Sequence, residues 1–309
     1  MLNSSHSNPS QMSLAFGDLS DISHLYSVIT FLGFLLIILC NCTVISTILL
    51  HESLQKPMYI FISGLCANDL YGSSAFYPSL FVNLSLKSPN ISYMACIIQE
   101  FCINNYAAFE FTILAIMAFD RYVCICNPLR YSSIITLGTA YKLMVTAWLH
   151  CFVLIIVHVV LTVRLPLCDN MILKIYCDNW TVVRLSCEDT TVNNAFGMFL
   201  TVSVVIGMPL LTFLSYIEIL KVCAKSRDAQ VKAMQTCVPQ IISLLIFFAS
   251  CIFEVMLYRF IPTIVPYGLR VVMSINIFVV PPIVNPILYG LKMKDIKVKI
   301  RQIFYKFLW

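Results

Sequence analysis

The sequence predicts an all-α membrane protein, a seven-transmembrane helix bundle with its N-terminus outside. Three observations carry that expectation. The chain is 60% hydrophobic and 11% charged over 309 residues. With a mean hydropathy of +0.87, a soluble domain of this size could not keep so much apolar surface out of water. Seven nearly charge-free stretches each reach the roughly 20 residues a spanning helix needs. The Lys and Arg residues concentrate in alternate connections.

The stretches run from Leu25 to Leu50, Pro57 to Leu86, Cys96 to Phe119, Leu143 to Val163, Thr190 to Ile217, Ala233 to Phe253 and Val271 to Leu291. Seven spans place the termini on opposite sides, so basic residues decide which is which. With the N-terminus outside, the inner set is Lys56, Arg121, Arg130, Lys142, Lys221, Lys225, Arg227 and Lys232, with Lys292, Lys294, Lys297, Lys299, Arg301 and Lys306. The outer set holds only Lys87, Arg164, Lys174, Arg184, Arg259 and Arg270. The chain thus divides into an outer tail (1–24), the seven-helix domain (25–291) and an inner segment (292–309).

The outer tail is polar and has no basic n-region, so it does not read as a cleaved signal peptide, and the first span serves as the anchor. It holds the sequon at Asn3, while Asn90 and Asn179 head sequons in outer loops. Asn41-Cys-Thr, a formal match inside the first span, shows how readily such triplets arise by chance, and Asn3 is the favoured acceptor. In the inner segment Met293, Ile296, Ile300, Ile303 or Phe304, and Phe307 recur at helical spacing among six basic residues and Asp295. This pattern predicts an amphipathic helix lying on the anionic lipid of the inner leaflet.

Most of the 14 cysteines are small apolar residues of a membrane chain. Cys96 opens the third span on the outer side, and Cys168, Cys177 and Cys187 lie in the second outer loop, where the compartment is oxidising. Four cysteines permit three pairings, and the residues alone do not choose among them.

Asp69, Glu110, Asp120, Arg121 and Glu254 lie within or at the ends of spans. A charge there costs at least a few kcal/mol unless paired, hydrated or neutralised. At a rise of about 1.5 Å per residue, Asp69 lies roughly 18 Å from the inner start of its helix and Glu110 roughly 15 Å above Asp120. Asn285, about 9 Å from the inner face by the same rise, comes close enough to join them. A small cation such as sodium bound between them would offset that charge; the alternative is a proton-sharing carboxyl pair without metal.

Asp120, Arg121 and Tyr122 end the third span. An adjacent Asp holds the guanidinium at rest, and release offers a cation and donor fork to a partner; the competing reading is a snorkelling interfacial arginine. Pro286 and Tyr289, in PPIVNPILYG, predict a bend in the seventh helix whose irregular turn Asn285 can hydrogen-bond. Together the two features favour a switch and hinge over mere shape.

These residues resemble the rhodopsin-like G-protein-coupled receptors, and within them the odorant receptors, over nearly the whole chain. The blocks are KPMYIFISGLCANDL (Lys56 to Leu70), MAFDRYVCICNPLRY (Met117 to Tyr131), LSCEDT (Leu185 to Thr190), SYIEIL (Ser215 to Leu220, with Tyr216), KAMQTC (Lys232 to Cys237) and PPIVNPILYGLK (Pro281 to Lys292). Their wording is closer to the aquatic, fish-like group. The resemblance implies disulfides Cys96 to Cys177 and Cys168 to Cys187, and a sodium site at Asp69 and Glu110. It also implies an odorant pocket among spans three, five and six, and a stimulatory, olfactory-type G protein docked inside, with no nucleic-acid partner. Two departures stand out: Pro239-Gln240 where the family commonly has Ser-His, and Phe247-Phe248-Ala249 where it commonly has Phe-Tyr-Gly. The missing histidine and tyrosine hydroxyl predict a weaker tie between spans three and six.

For the ligand, one face of the third span offers Glu100, Ile103, Asn104, Ala107, Ala108 and Phe111. The sixth offers Phe248, Cys251, Ile252, Val255 and, at its outer end, Arg259. This is a mostly apolar pocket with few polar anchors. Arg259 either pairs the anionic head of a small ligand or is a rim arginine, in water or paired with Glu100 or Glu254. A transporter is the rival class, since intramembrane acids also mark ion paths, but it predicts an inverted repeat and none is evident. No HExxH, GxSxG or phosphate-loop motif points to an enzyme.

Overall fold

The computed structural model describes residues 9–16, 23–86, 89–225, 227–259 and 266–308. Seven long helices form a bundle: α1 (Ser23–Leu50), α2 (Pro57–Leu86), α3 (Tyr93–Cys126), α4 (Leu137–Val163), α5 (Thr191–Cys223), α6 (Arg227–Arg259) and α7 (Tyr267–Lys292). An inner helix, α8 (Lys294–Leu308), follows. The helices outlast the apolar segments read from the sequence, because a helix continues into the headgroup layer until a cap or turn stops it. Ser92 caps α3 by accepting from the Ala95 amide at 3.3 Å, and Thr136 caps α4 by accepting from Thr139 at 3.1 Å.

Five of these helices are apolar and long enough to cross a membrane by length and composition. The other two, α2 and α3, span 30 and 34 residues and have lower mean hydropathy because they carry polar residues that face inward. Asn68, Asp69, Ser73, Glu110 and Asp120 are buried. Leu25, Val28, Leu32, Leu36 and Leu39 of α1 point outward. The bundle hides its polar groups and shows its apolar ones, as a bilayer solvent demands.

Prolines set the irregularities. Pro286 has no N–H for the carbonyl of Pro282, four residues back, and Asn41 Nδ2 of α1 donates to that oxygen at 2.8 Å. The carbonyl that Pro281 leaves at Ile277 is taken by the Tyr106 hydroxyl of α3 at 3.2 Å. This corrects the sequence expectation for Asn285, which does not serve the bend; Asn41 does. In α5, Val202–Gly207 is a π turn, two residues before Pro209, which relieves the clash with the preceding turn.

Outside the bundle, Gln11–Leu14 (β1) pairs antiparallel with Asn90–Ser92 (β2) and parallel with Met171–Ile172 (β3). Alternate residues Met12, Leu14 and Phe16 turn inward and are buried, so part of the polar outer tail is a strand packed on the bundle mouth. At the inner end Met293, which ends α7, and Ile296 of α8 pack among Val44, Met58 and Tyr289, and the Tyr59 hydroxyl donates to Asp295 Oδ2 at 2.9 Å. The first turn of α8 therefore docks on the bundle.

Candidate functional site

A cavity of about 210 Å³ opens beneath the second outer loop. Its walls are Ile103, Asn104 and Ala107 of α3, His158 of α4, Asn193, Asn194, Gly197, Thr201 and Val205 of α5, and Cys251, Glu254 and Val255 of α6. Ile277 and Phe278 of α7 also line it, and residues 174, 176 and 178–180 of the loop close it. Two disulfides shape that loop: Cys96 to Cys177, with Cα atoms 5.3 Å apart, and Cys168 to Cys187, at 5.4 Å. Gln99 Oε1 accepts from the Cys177 amide at 2.9 Å, holding the loop over α3.

An ion network straps the same loop to α6 and α7. Lys174, only 2% exposed, donates to Asp178 Oδ2 at 2.5 Å and Glu254 Oε1 at 2.6 Å. The hydroxyls of Tyr176 and Ser274 also donate to Glu254, at 2.5 and 3.0 Å. Burial pulls the Lys174 ammonium down, but the two carboxylates outweigh it and hold its pKa above the ordinary lysine value.

Of the residues expected to contact a ligand, Ile103, Asn104, Ala107, Cys251 and Val255 line the cavity. The others require correction. Glu100 is fully buried beneath the short loop helix Asn179–Val183, its Oε1 accepting from Asn179 Nδ2 at 2.7 Å. Ala108 turns into the core beside α4, and Phe111 packs edge-on against Phe247 with ring centroids 4.8 Å apart. Phe248 packs against the core, and neither it nor Ile252 is in the cavity wall. A few residues along a helix turn the side chain through tens of degrees, enough to leave the cavity. The side chain of Arg259 lies outside the described residues.

The loop acceptors divide as well. Asn179 is withdrawn as a glycan acceptor: its amide is buried, bonded to Glu100 and to Thr162 Oγ1. Asn90 is exposed, and Asn3 lies outside the described residues.

Below the cavity Tyr106 is a hub. Its ring packs edge-on to Phe247 at 5.7 Å and lies 6.1 Å from Phe278. Gly72 of α2 lets it approach: a Cβ there would meet the ring at 2.5 Å. One turn lower, Asn285 Nδ2 donates to both Asp69 Oδ2 and Glu110 Oε1 at 3.0 Å, and Asn68 Nδ2 donates to Glu110 Oε2 at 2.8 Å. Asp69 Oδ1, Ser73 Oγ and Asn285 Oδ1 are buried without hydrogen-bond partners. These hard oxygen donors suit a small cation such as sodium. Among the described residues no group of three or more His, Cys, Asp or Glu could hold a metal ion, so neutral oxygens would have to complete the set.

The sequence reading also expected Gln240 to loosen α3 from α6. Instead Gln240 Nε2 donates to the Leu114 carbonyl at 2.7 Å, fully buried. The amide reaches across the gap and supplies a polar tie.

At the inner end Arg121 Nε donates to Asp120 Oδ2 at 2.8 Å and Nη2 donates to the same oxygen. The Tyr131 hydroxyl donates to Asp120 Oδ1 at 2.8 Å. Tyr216 of α5 packs with Ala118, Ile125 and Cys237, and Tyr122 lies against the same group. Tyr289 is fully buried below Asn285 and Pro286. Leu129, in the connection after α3, is 97% exposed. His158, Lys174, Asn193 and Tyr106 were missed in sequence reasoning, and only the polarity of His158 and Lys174 hinted at them.

A family model described as olfactory receptor matches residues 30–306. The chain is 35% identical to human olfactory receptor 51E1 over 274 residues, covering 88% of this chain and 86% of that one. It is 33% identical to human olfactory receptor 52K2 over 285 residues, covering 91% and 90%. Among solved structures, squid rhodopsin superimposes with a TM-score of 0.77 at 17% identity, covering 98% of this chain and 92% of that one. That likeness is one of fold.

Proposed function

The chain belongs to the olfactory receptor family of rhodopsin-like G-protein-coupled receptors, and from that premise we propose how it works. It binds a small odorant in the cavity under the second outer loop and activates a stimulatory, olfactory-type G protein, raising cAMP from the plasma membrane. The observation that carries this reading is a continuous contact path from the cavity down to the buried acid pair in mid-bundle. Ile277 and Phe278 belong to the cavity wall and also meet Tyr106, whose own carbonyl accepts from Asn68 at 3.1 Å. Asn68 in turn reaches Glu110, and Glu110 shares Asn285 with Asp69.

Odorant pressing on the α6 and α7 walls separates α6 from α3, breaking the Gln240 bond to Leu114 and opening the cluster around Tyr216. Arg121 then leaves Asp120 and offers its guanidinium to the G protein, the two-state behaviour expected of a buried ion pair used as a switch. Leu129 gives the partner an apolar contact beside it. Asp69 and Glu110, bridged by Asn285, would hold a sodium ion in the resting state, which would offset part of their negative charge, and the basic residues of α8 hold the inner leaflet.

Arg121→Ala tests the reading. Receptor in lipid nanodiscs should lose odorant-dependent nucleotide exchange on the G protein, and lose it equally in D120N/R121A, which leaves no stranded carboxylate and keeps the thermal unfolding midpoint near wild type. Undiminished exchange would remove Arg121 from the mechanism.

A further inference from the structure

We infer that α4 and α5 carry a subsite for a neutral hydroxyl group, so that the ligand class is small alcohols. The inference rests on the receptor reading above and deepens it. His158 and Asn193 both line the cavity, at 6% and 1% exposure. Neither amide atom of Asn193 has a hydrogen-bond partner, and the His158 imidazole, which makes no hydrogen bond of normal geometry, has the Asn179 side chain as its polar neighbour; native proteins rarely leave such groups unfilled. Phe196 packs on the imidazole with ring centroids 5.9 Å apart and orients it. Gly197 also lines the cavity, and a Cβ there would stand 3.4 Å from His158 Nε2, so the missing side chain keeps that nitrogen approachable.

Three other polar wall groups are already engaged. Asn104 Nδ2 donates to the Glu100 carbonyl, Asn194 Nδ2 to Thr190 Oγ1, and Lys174 to Asp178 and Glu254. That last cluster holds two acids against one base, which opposes an anionic ligand. A neutral imidazole presents one donor and one acceptor, and a carboxamide presents both. A hydroxyl is the smallest group that donates and accepts at once; an ether or a ketone only accepts, and an ammonium only donates. The cavity volume lies below the roughly 300 Å³ at which drug-sized sites begin, which limits the alcohol to a short chain.

The test uses the full chain in nanodiscs and matched short straight-chain probes: primary alcohols and the methyl ethers, carboxylates and ammonium compounds of the same length. The readout is the thermal unfolding midpoint, which a ligand of the native state raises. Alcohols should raise it dose-dependently while the other three classes do not. His158→Phe and Asn193→Leu should each weaken the apparent alcohol affinity roughly tenfold, and Gly197→Ala should do the same by filling the space beside Nε2. A shift with carboxylates, ethers or ammonium compounds equal to that with alcohols, or a shift with no class, overturns the subsite. That selectivity is read on wild type and stands even if a variant fails to fold. Nucleotide exchange measured in parallel separates the two claims. Alcohol binding without exchange retains the subsite and removes the receptor mechanism, whereas exchange driven by carboxylates alone does the reverse.

Discussion

Gln240→Leu gives the sharpest view of how the helices are held. The amide joins α6 to the Leu114 carbonyl of α3 at 2.7 Å in a fully buried position. Leu114 lies within α3, so its carbonyl keeps a helical donor when the side chain is replaced, and leucine nearly matches glutamine in volume. The substitution also removes Gln240 Oε1, which is buried without a partner, so overall fold stability should be nearly unchanged. What is lost is a bond made only while α3 and α6 are together, worth about 1 kcal/mol net. That changes the ratio of resting to active receptor about fivefold. If the active form is about 1% of unliganded receptor, constitutive signalling should rise to about five times its wild-type level. The assay is basal cAMP per surface receptor, normalised by labelling an outer epitope, with Gln240→Met alongside because a thioether cannot donate to a carbonyl. Unchanged basal output in both variants at normal surface density would refute the tie.

Removing Lys174 strands Asp178 and Glu254 under the loop, so Lys174→Met should lower stability by about 3 kcal/mol or more, read as lost surface expression and a lower unfolding midpoint; partial recovery in K174M/E254Q identifies the stranded charge as the cause. Because the native Lys174 pKa is raised, its contribution is complete below the unfolded lysine value of about 10.4 and fades only as pH climbs through the native value. The Lys174 contribution to the midpoint should therefore be flat from neutral to mildly alkaline pH, and a Lys174-dependent fall there would contradict the network. Sodium should raise the midpoint of wild type and not of Asp69→Asn, with N-methylglucamine as the control cation; equal responses would place the ion elsewhere or nowhere. Asn179→Gln should leave the glycosidase-sensitive mass unchanged, whereas loss of a glycan would mean that this amide is exposed when the chain is glycosylated.

Much of the site was legible as depth and little of it as direction. Asp69, Glu110 and Asn285 could be set at one level from residue counts, and they do meet through the Asn285 amide. The same counting put Ala108, Phe111 and Ile252 in the ligand wall, where helix rotation takes them away. Gln240 looked like a lost contact because its residue type differs from the family habit. Its reach to a backbone carbonyl depends on the separation of α3 and α6, which no local pattern carries. The strand at Gln11–Leu14 had a visible signal in the alternation of Met12, Leu14 and Phe16, yet its partners, Asn90–Ser92 and Met171–Ile172, are distant in sequence.

The sequence by itself determined the class and the number of the spanning helices, because a bilayer accepts little besides continuous apolar helices with satisfied backbones. It determined the orientation expected from basic residues and the motifs at the inner ends. Tertiary structure alone decided which polar groups meet. Asn41 found the carbonyl freed by Pro286, Lys174 found Glu254, and His158 and Asn193 were left facing an empty wall. The reason is geometric: position along a helix axis accumulates residue by residue and can be counted, while rotation about that axis, tilt and loop closure are set only when the helices pack against one another.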